Sequence, residues 1–317
     1  MHKRHLPWLA MALITLLAAC GTGTAPSPTQ APEGQARQAP ASPADPALHP
    51  DPALDPVLSG GRPQVASDPA GLAHQLTVAE TAIRDARTPP DQLNAAAWTA
   101  QVAYRTLEYR PDWDGAVLGA VPSRLHEVVL RNTAARREFL AMQGSLDDTL
   151  PTWRMIEPLP AAQLRGIYGE AQRRFGVPWQ VLAAVHLVET GSGRIVGLST
   201  AGAQGPMQFM PATWDSYGMG GDVWDTRDAM MGAANYLAAN GAADGELDRA
   251  LYRYNNDTRY VRAVRHYASV MRIDERAFLG YHARPVYYRT SAGDIMLPVG
   301  YESSRSLPVQ EWLARPR

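Results

Sequence analysis

Cysteine is almost missing from this chain. Cys20 is the single thiol in 317 residues, which excludes an internal disulfide framework and any metal site built on cysteine thiolates. An excess of either charge is missing as well. The 30 Lys and Arg face 31 Asp and Glu, for a net charge of -1. With a pI near 6.7 there is no basic surplus, and nucleic acid is not an expected partner. The apolar run at residues 6–19 is too short to span a bilayer comfortably. Glycine and proline are plentiful, 26 of each, so ordinary helix cannot fill the whole length.

The short apolar run sits where an export signal belongs. His2, Lys3, Arg4 and His5 give a positive start, and the run that follows completes a signal peptide expected at residues 1–20. Leu17-Ala18-Ala19-Cys20 resembles a bacterial lipobox, which implies cleavage before Cys20 and lipidation of its sulfur. An ordinary signal with an incidental cysteine is the alternative. Each buried CH₂ contributes roughly 0.8 kcal/mol, so two acyl chains hold where one would not. The expectation is an exported protein, anchored through lipidated Cys20 to the outer face of a bacterial cytoplasmic membrane. Residues 21–67, rich in Pro, Ala, Ser, Thr and Gly, carry no apolar period and are expected to be a disordered linker. At ~3.1 Å per residue such a spacer reaches at most roughly 150 Å.

Order is expected from Asp68-Pro69, an N-cap followed by proline at the first helical position. Leu72, Leu76, Ala79, Ile83 and Ala86 then share one helix face. Further helices are expected at residues 93–109, 114–121 and 122–142, making residues 68–145 a helical accessory domain with no catalytic pattern. Trp98, Tyr104 and Trp113 sit in these helices and read as core rather than as sugar platforms.

A second unit is expected at residues 146–282. Leu159-Pro160 opens a helix that Gly176 stops, and Val177-Pro178 opens the next. Later helices are expected at residues 211–217, 226–240, 246–256 and 258–272, with Asp225 capping the second of these. At residues 286–301 the period changes. Val286 to Thr290 and Ile295 to Leu297 flank Ser291-Ala292-Gly293-Asp294, a hairpin signal. Residues 283–317 are therefore read as a small hairpin and a surface tail. The fold class is mainly α.

Glu189 is the carboxylate that stands out. It ends an apolar helix whose Val181, Leu182, Val185 and Val188 share its stripe, and glycines follow. Unsatisfied carbonyls at a helix C-terminus disfavour an anion, and apolar neighbours do the same by desolvation. Both push the pKa upward, toward a group that holds a proton near neutral pH and can donate it. His186, one turn back, reads as a satisfied core histidine. Asp215, Asp222, Asp228 and Asp257 read as caps or surface acids, so no second acid sits in a recognisable pattern.

Glu189-Thr190, the string Gly202-Ala203-Gln204-Gly205-Pro206-Met207-Gln208-Phe209-Met210-Pro211, and Tyr254-Asn255 follow one another in order. Together they resemble the three signatures of lytic transglycosylases with a goose-lysozyme-like fold. Asp222-Val223-Trp224-Asp225 and Ala234-Asn235-Tyr236 further resemble the membrane-bound lytic murein branch. The resemblance implies a lysozyme-like helical catalytic domain acting on peptidoglycan glycan strands. It implies cleavage of the β-1,4 bond between N-acetylmuramic acid and N-acetylglucosamine, with a 1,6-anhydromuramoyl end as product. Glu189 would serve as acid and then as base, where ordinary glycosidases use two carboxylates.

The resemblance also assigns a substrate-binding set. Ser199 matches a serine near the N-acetyl group, although the loop here is one residue longer. Gln208 matches a side chain that hydrogen-bonds sugar, and Met207 one that lines the cleft. Tyr254 matches a phenol thought to support the acid, and Asn255 a residue that holds the fold. Tyr236 matches a cleft tyrosine. Core packing is the alternative for Met207 and Tyr236. The glycines would let a broad glycan lie against backbone. Arg253 and Asn256 depart from the pattern. Residues 220–222 lack the alternating acids of a calcium loop, so neither metal nor cofactor is expected. Two competing readings share the fold: a hydrolytic muramidase, and a non-catalytic wall-binding lipoprotein.

Overall fold

Asp68 starts the first helix as its sequence suggests, its side chain accepting from Gly71 N at 2.9 Å. The computed structural model describes residues 56–315. The signal-like segment, Cys20 and most of the linker lie outside the described residues. Helices α1 (Pro69–Arg84), α2 (Pro90–Leu107), α3 (Asp114–Ala120) and α4 (Ser123–Met142) follow in order. Leu72, Leu76, Ala79 and Ile83 of α1 meet Ala96, Ala100 and Tyr104 of α2, with Val117 and Val129, in one apolar core. Tyr104 and Trp113 are buried, as expected of core aromatics.

Helix α4 has two apolar faces. Val129 joins that first core, whereas Val128, Ala135, Phe139 and Met142 belong to a second. The second core holds α5 (Ala161–Phe175), α6 (Trp179–Thr190), α7 (Pro211–Tyr217), α8 (Thr226–Ala239), α9 (Leu247–Tyr254), α10 (Thr258–Ile273) and α11 (Ala277–Ala283). Helix α6 is its axis: Val181, Leu182, Ala183, Ala184, Val185 and His186 are buried in succession, the mark of a helix enclosed on all sides. Helix α10 packs against both α4 and α6, so it links the N-terminal helices to the helix carrying Glu189. The chain is mainly helical, with small strands.

A third core forms where short strands meet. These are β1 (Thr149–Leu150), β2 (Arg154–Met155), β3 (Ile195–Val196), β4 (Val286–Thr290), β5 (Gly293–Leu297) and β6 (Leu307–Pro308), and helix α12 (Val309–Leu313) follows them. Strands β4 and β5 form the expected hairpin, but Thr290 pairs with Gly293, so the turn shrinks to Ser291-Ala292. Strand β1 pairs with β6, and β2 with β3. Leu150, Trp153, Ile195, Leu297, Tyr301, Leu307 and Val309 fill the space between them.

Two expectations need correction. The segment after the hairpin is not a surface tail: Tyr301, Leu307 and Val309 are buried, and Val309 N donates to Asp148 O at 2.9 Å. Nor does order wait for Asp68. Leu58 is buried in the first core, and Gln75 clips the chain ahead of α1 by donating to Gln64 O at 2.5 Å and accepting from Ala66 N at 3.2 Å.

An ion-pair network joins the N-terminal helices to the hairpin. Glu108, at the end of α2, is 3 % exposed. It accepts from Arg136 of α4 at 2.8 Å and from Arg289 of β4. Asp294 of β5 pairs with Arg105 at 2.6 Å and with Arg289 at 3.2 Å.

Candidate active site

Gly191 ends α6. Its φ of 61° places it in the left-handed region, and its N donates to Leu187 O at 3.0 Å, the αL way of closing a helix, while Ser192 N reaches back to His186 O at 3.1 Å. Glu189 and Thr190 therefore occupy a fixed last turn. Thr190 Oγ1 donates to Pro206 O at 2.7 Å and accepts from Gly193 N at 3.1 Å. One hydroxyl thus ties the helix end to the Gly-rich string and to the turn after the helix.

The string folds back on itself. Gln204 and Phe209 exchange backbone hydrogen bonds at 2.9 and 2.8 Å, and Gln208 N donates to Gly205 O at 3.0 Å. Gly205 is fixed by sterics: with φ at +75°, an added Cβ would stand 2.0 Å from Val223 O. Its missing side chain thus admits a neighbouring backbone segment rather than a glycan, which departs from the expectation. At Gly202 an added Cβ meets nothing within 4 Å. Gln208 carries a φ of 50°, a conformation costly for a residue with a side chain and one that clusters at functional sites.

Glu189 is 4 % exposed, and Tyr260 of α10 donates to its Oε1 at 2.8 Å. Burial pushes the carboxyl up to about 8 from an ordinary 4.5, while the Tyr260 hydrogen bond pulls the other way. At neutral pH the group is predominantly protonated. The end of a helix adds an effect of the same sign as burial. His186 is fully buried, its Nδ1 2.8 Å from the Tyr168 hydroxyl. Burial, with His282 nearby, lowers it to about 3, so it is a neutral core histidine, but its Nε2 is buried without a partner and it is not the fully satisfied one expected.

Of the residues implied by resemblance, Tyr254 is the one that feels the Glu189 charge, and the others bond within neighbouring loops and helices. Tyr254 donates to Met207 O at 2.6 Å, and its own ionisation is raised by burial and by Glu189. Met207 is fully buried. Gln208 Nε2 donates to Gly205 O at 3.0 Å, and also reaches Gly197 O at 3.5 Å. Its Oε1 is buried without a partner, and so is Asn255 Oδ1. Ser199 Oγ accepts from Ala203 N at 2.9 Å, which closes the loop ahead of the string. Tyr236 donates to Arg253 O at 2.7 Å and packs edge-on to Tyr254 at 5.6 Å. Tyr217 continues that row, its ring centroid 4.9 Å from that of Tyr236.

Tyr260 is the residue the sequence reading passes over. Tyr254 had been expected to support the acid, but its phenol is spent on Met207 O, and Tyr260 makes the direct contact. The available signal was the order Tyr254, Asn255, Asp257, Tyr260 from the end of α9 into α10, where Tyr260 looks like one more member of an apolar stripe. The acids outside Glu189 take the structural roles expected of them. Asp225 caps α8 through Asp228 N at 2.9 Å, and Asp257 accepts from Arg259 N at 2.7 Å. A cavity of about 510 Å³, lined by Trp98, Glu157 and Arg194, lies between α2 and the hairpin and does not include Glu189. We place the site at Glu189 because its buried, neutral acid is the group with chemistry to perform.

Residues 167–275 match the family model described as a Transglycosylase SLT domain. No curated protein and no solved structure matches the chain.

Proposed function

We propose that the protein is a lytic transglycosylase acting on peptidoglycan in which Glu189 is both acid and base, a reading supported by the match of residues 167–275 to the Transglycosylase SLT domain. The observation that carries this reading is the buried Glu189 carboxyl, pushed up to about 8 by burial and oriented by Tyr260 at 2.8 Å. A group so placed holds its proton at neutral pH and surrenders it to an oxygen that gains charge as its bond breaks.

In the first step the bond between muramoyl C1 and the bridging O4 breaks, and the Glu189 proton passes to O4. Negative charge left on Glu189 is then stabilised by the Tyr260 hydroxyl. In the second step the muramoyl O6 attacks C1, and its proton passes to Glu189. The ring closes as a 1,6-anhydro sugar, no water is consumed, and Glu189 ends protonated as it began. One carboxyl suffices. Asp257 is engaged as the cap of α10, Asp228 accepts from Asp222 N at 3.0 Å and Asp222 from Trp224 N at 2.9 Å, and Asp215 is exposed.

The sugar would be held by groups with unused hydrogen-bonding capacity. Gln208 Oε1 and Asn255 Oδ1 are buried acceptors without partners, and such atoms carry a penalty that a ligand donor relieves. Ser199 already accepts from Ala203 N, so its own hydroxyl proton is the part left to offer an N-acetyl carbonyl. The row Tyr217, Tyr236, Tyr254 supplies a wall on which a sugar face can rest. The lipobox-like Leu17-Ala18-Ala19-Cys20 and the resemblance to the membrane-bound branch support anchoring of this activity to the cytoplasmic membrane through a lipidated Cys20.

The deciding experiment is mass spectrometry of muropeptides released from purified peptidoglycan by the protein. Fragments with anhydromuramoyl ends, one water lighter than hydrolytic products, are expected. Reducing muramoyl ends would overturn transglycosylation in favour of hydrolysis.

A further inference from the structure

The junction between the N-terminal helices and the hairpin holds a second feature, independent of what Glu189 does. Arg284, just ahead of β4, is 9 % exposed, yet among the described residues no carboxylate pairs with it. Its Nε is buried without a hydrogen-bond partner, and its guanidinium lies over the Tyr281 ring at 4.4 Å. A buried cation without a counter-charge is costly unless something supplies one.

Arg284 lines a cavity of about 100 Å³ that Arg105 and Arg136 also face. Among the described residues, the acids bonded to these two are Asp294 and Glu108, and Arg289 draws on both of those acids as well. Three guanidiniums therefore share two carboxylates, and neither acid is left for Arg284. Burial and the neighbouring Arg136 together hold Arg105 down at about 10, which records the same excess of positive charge. Most of the remaining wall is apolar or aromatic, with Leu187, Val188 and Tyr267 among its members, and Gln101 is its polar exception.

We propose that this cavity binds a small carboxylate carried on a short apolar group, its oxygens on Arg284 and its alkyl part against Leu187, Val188 and Tyr267. A guanidinium fork fits two carboxylate oxygens. The largely apolar wall favours a ligand with an alkyl part over phosphate, which carries polar oxygens on every side. Since Leu187 and Val188 belong to the last turns of α6, the bound anion would brace the helix that carries Glu189.

The test is the melting temperature of the full chain titrated with sodium propionate, against sodium chloride and sodium phosphate at matched ionic strength. A saturable rise of several degrees Celsius is expected at about a hundredfold excess over Kd. It should vanish in Arg284→Met and in Leu187→Phe, which fills the cavity from a partly exposed position. An equal rise in either variant marks a solvent effect and overturns the proposal. Equal shifts with phosphate overturn the carboxylate assignment. If Arg284→Met fails to fold, Leu187→Phe and the wild-type titration decide, and absence of saturable propionate binding to the wild type ends the idea.

Discussion

The Tyr260 hydroxyl stands 2.8 Å from Glu189 Oε1, and the two residues come from helices that cross inside the same core. The contact opposes burial. It makes the anion tolerable without making it the resting state, which suits a group that must first lose a proton and then regain one.

Glu189→Gln tests the acid directly. Loss of general acid catalysis typically costs about 10²–10⁴-fold in rate, and here the same residue serves both steps, so the upper end is expected. Binding to insoluble peptidoglycan should survive, because the amide keeps the shape. Release of soluble fragments at the wild-type rate would remove Glu189 from the mechanism.

Tyr260→Phe removes a hydrogen bond that favours the Glu189 anion. The carboxyl then titrates still higher, so the alkaline limb of the pH–rate profile should move to higher pH while maximal turnover falls. Tyr254→Phe, whose phenol bonds Met207 O instead, should leave that limb closer to its original place. Identical profiles for the two variants would contradict the assignment.

Stability should carry the same signature. A carboxyl raised from 4.5 to about 8 on folding binds a proton in the native state that the unfolded chain has released. Between those values the native state therefore loses about 1.4 kcal/mol of stability for each unit of rising pH. Glu189→Gln removes that slope, so urea denaturation should show the variant gaining on the wild type from pH 5 to pH 8. Parallel curves would mean that the carboxyl titrates normally.

Much of this was readable in the residues themselves, and the reasons for the exceptions are physical. Glu189 announces itself by ending an apolar helix before glycines, and Asp68 and Asp225 announce caps. Tyr260 does not, because a buried tyrosine with a polar partner has the periodicity of any core residue. Strand β6 is invisible for another reason: two residues give no period, and their partners at Thr149 and Leu150 lie far back in the chain. The same distance conceals the network of Arg105, Glu108, Arg136, Arg289 and Asp294, whose members look like ordinary surface charges when read in sequence.

Gly205→Ala should show how tightly the Gly-rich loop is seated. The added carbon meets Val223 O at 2.0 Å and must also adopt a φ of +75°. The left-handed conformation alone costs roughly 1–2 kcal/mol, and the clash adds to it. A fall in melting temperature of several degrees, with loss of activity, is expected; a neutral substitution would mean that residues 222–225 move aside freely.

Glu108→Ala tests the junction. It strips Arg136 and Arg289 of their shared carboxylate, which Glu108 offers from a buried position. Breaking a buried pair from one side typically costs about 3–5 kcal/mol. Chemical denaturation should register it, and an effect below about 1 kcal/mol would show that water already reaches these guanidiniums.

The two-faced helix α4 has a practical corollary. Val129 is lodged among the first four helices, while Phe139 and Met142 are lodged among the later ones, so neither half can melt without tearing apolar contacts out of the other. Calorimetry should find one transition where a beads-on-a-string reading expects two. A cut at the apparent seam near residue 145 would strip Val128, Ala135, Phe139 and Met142 out of the second core.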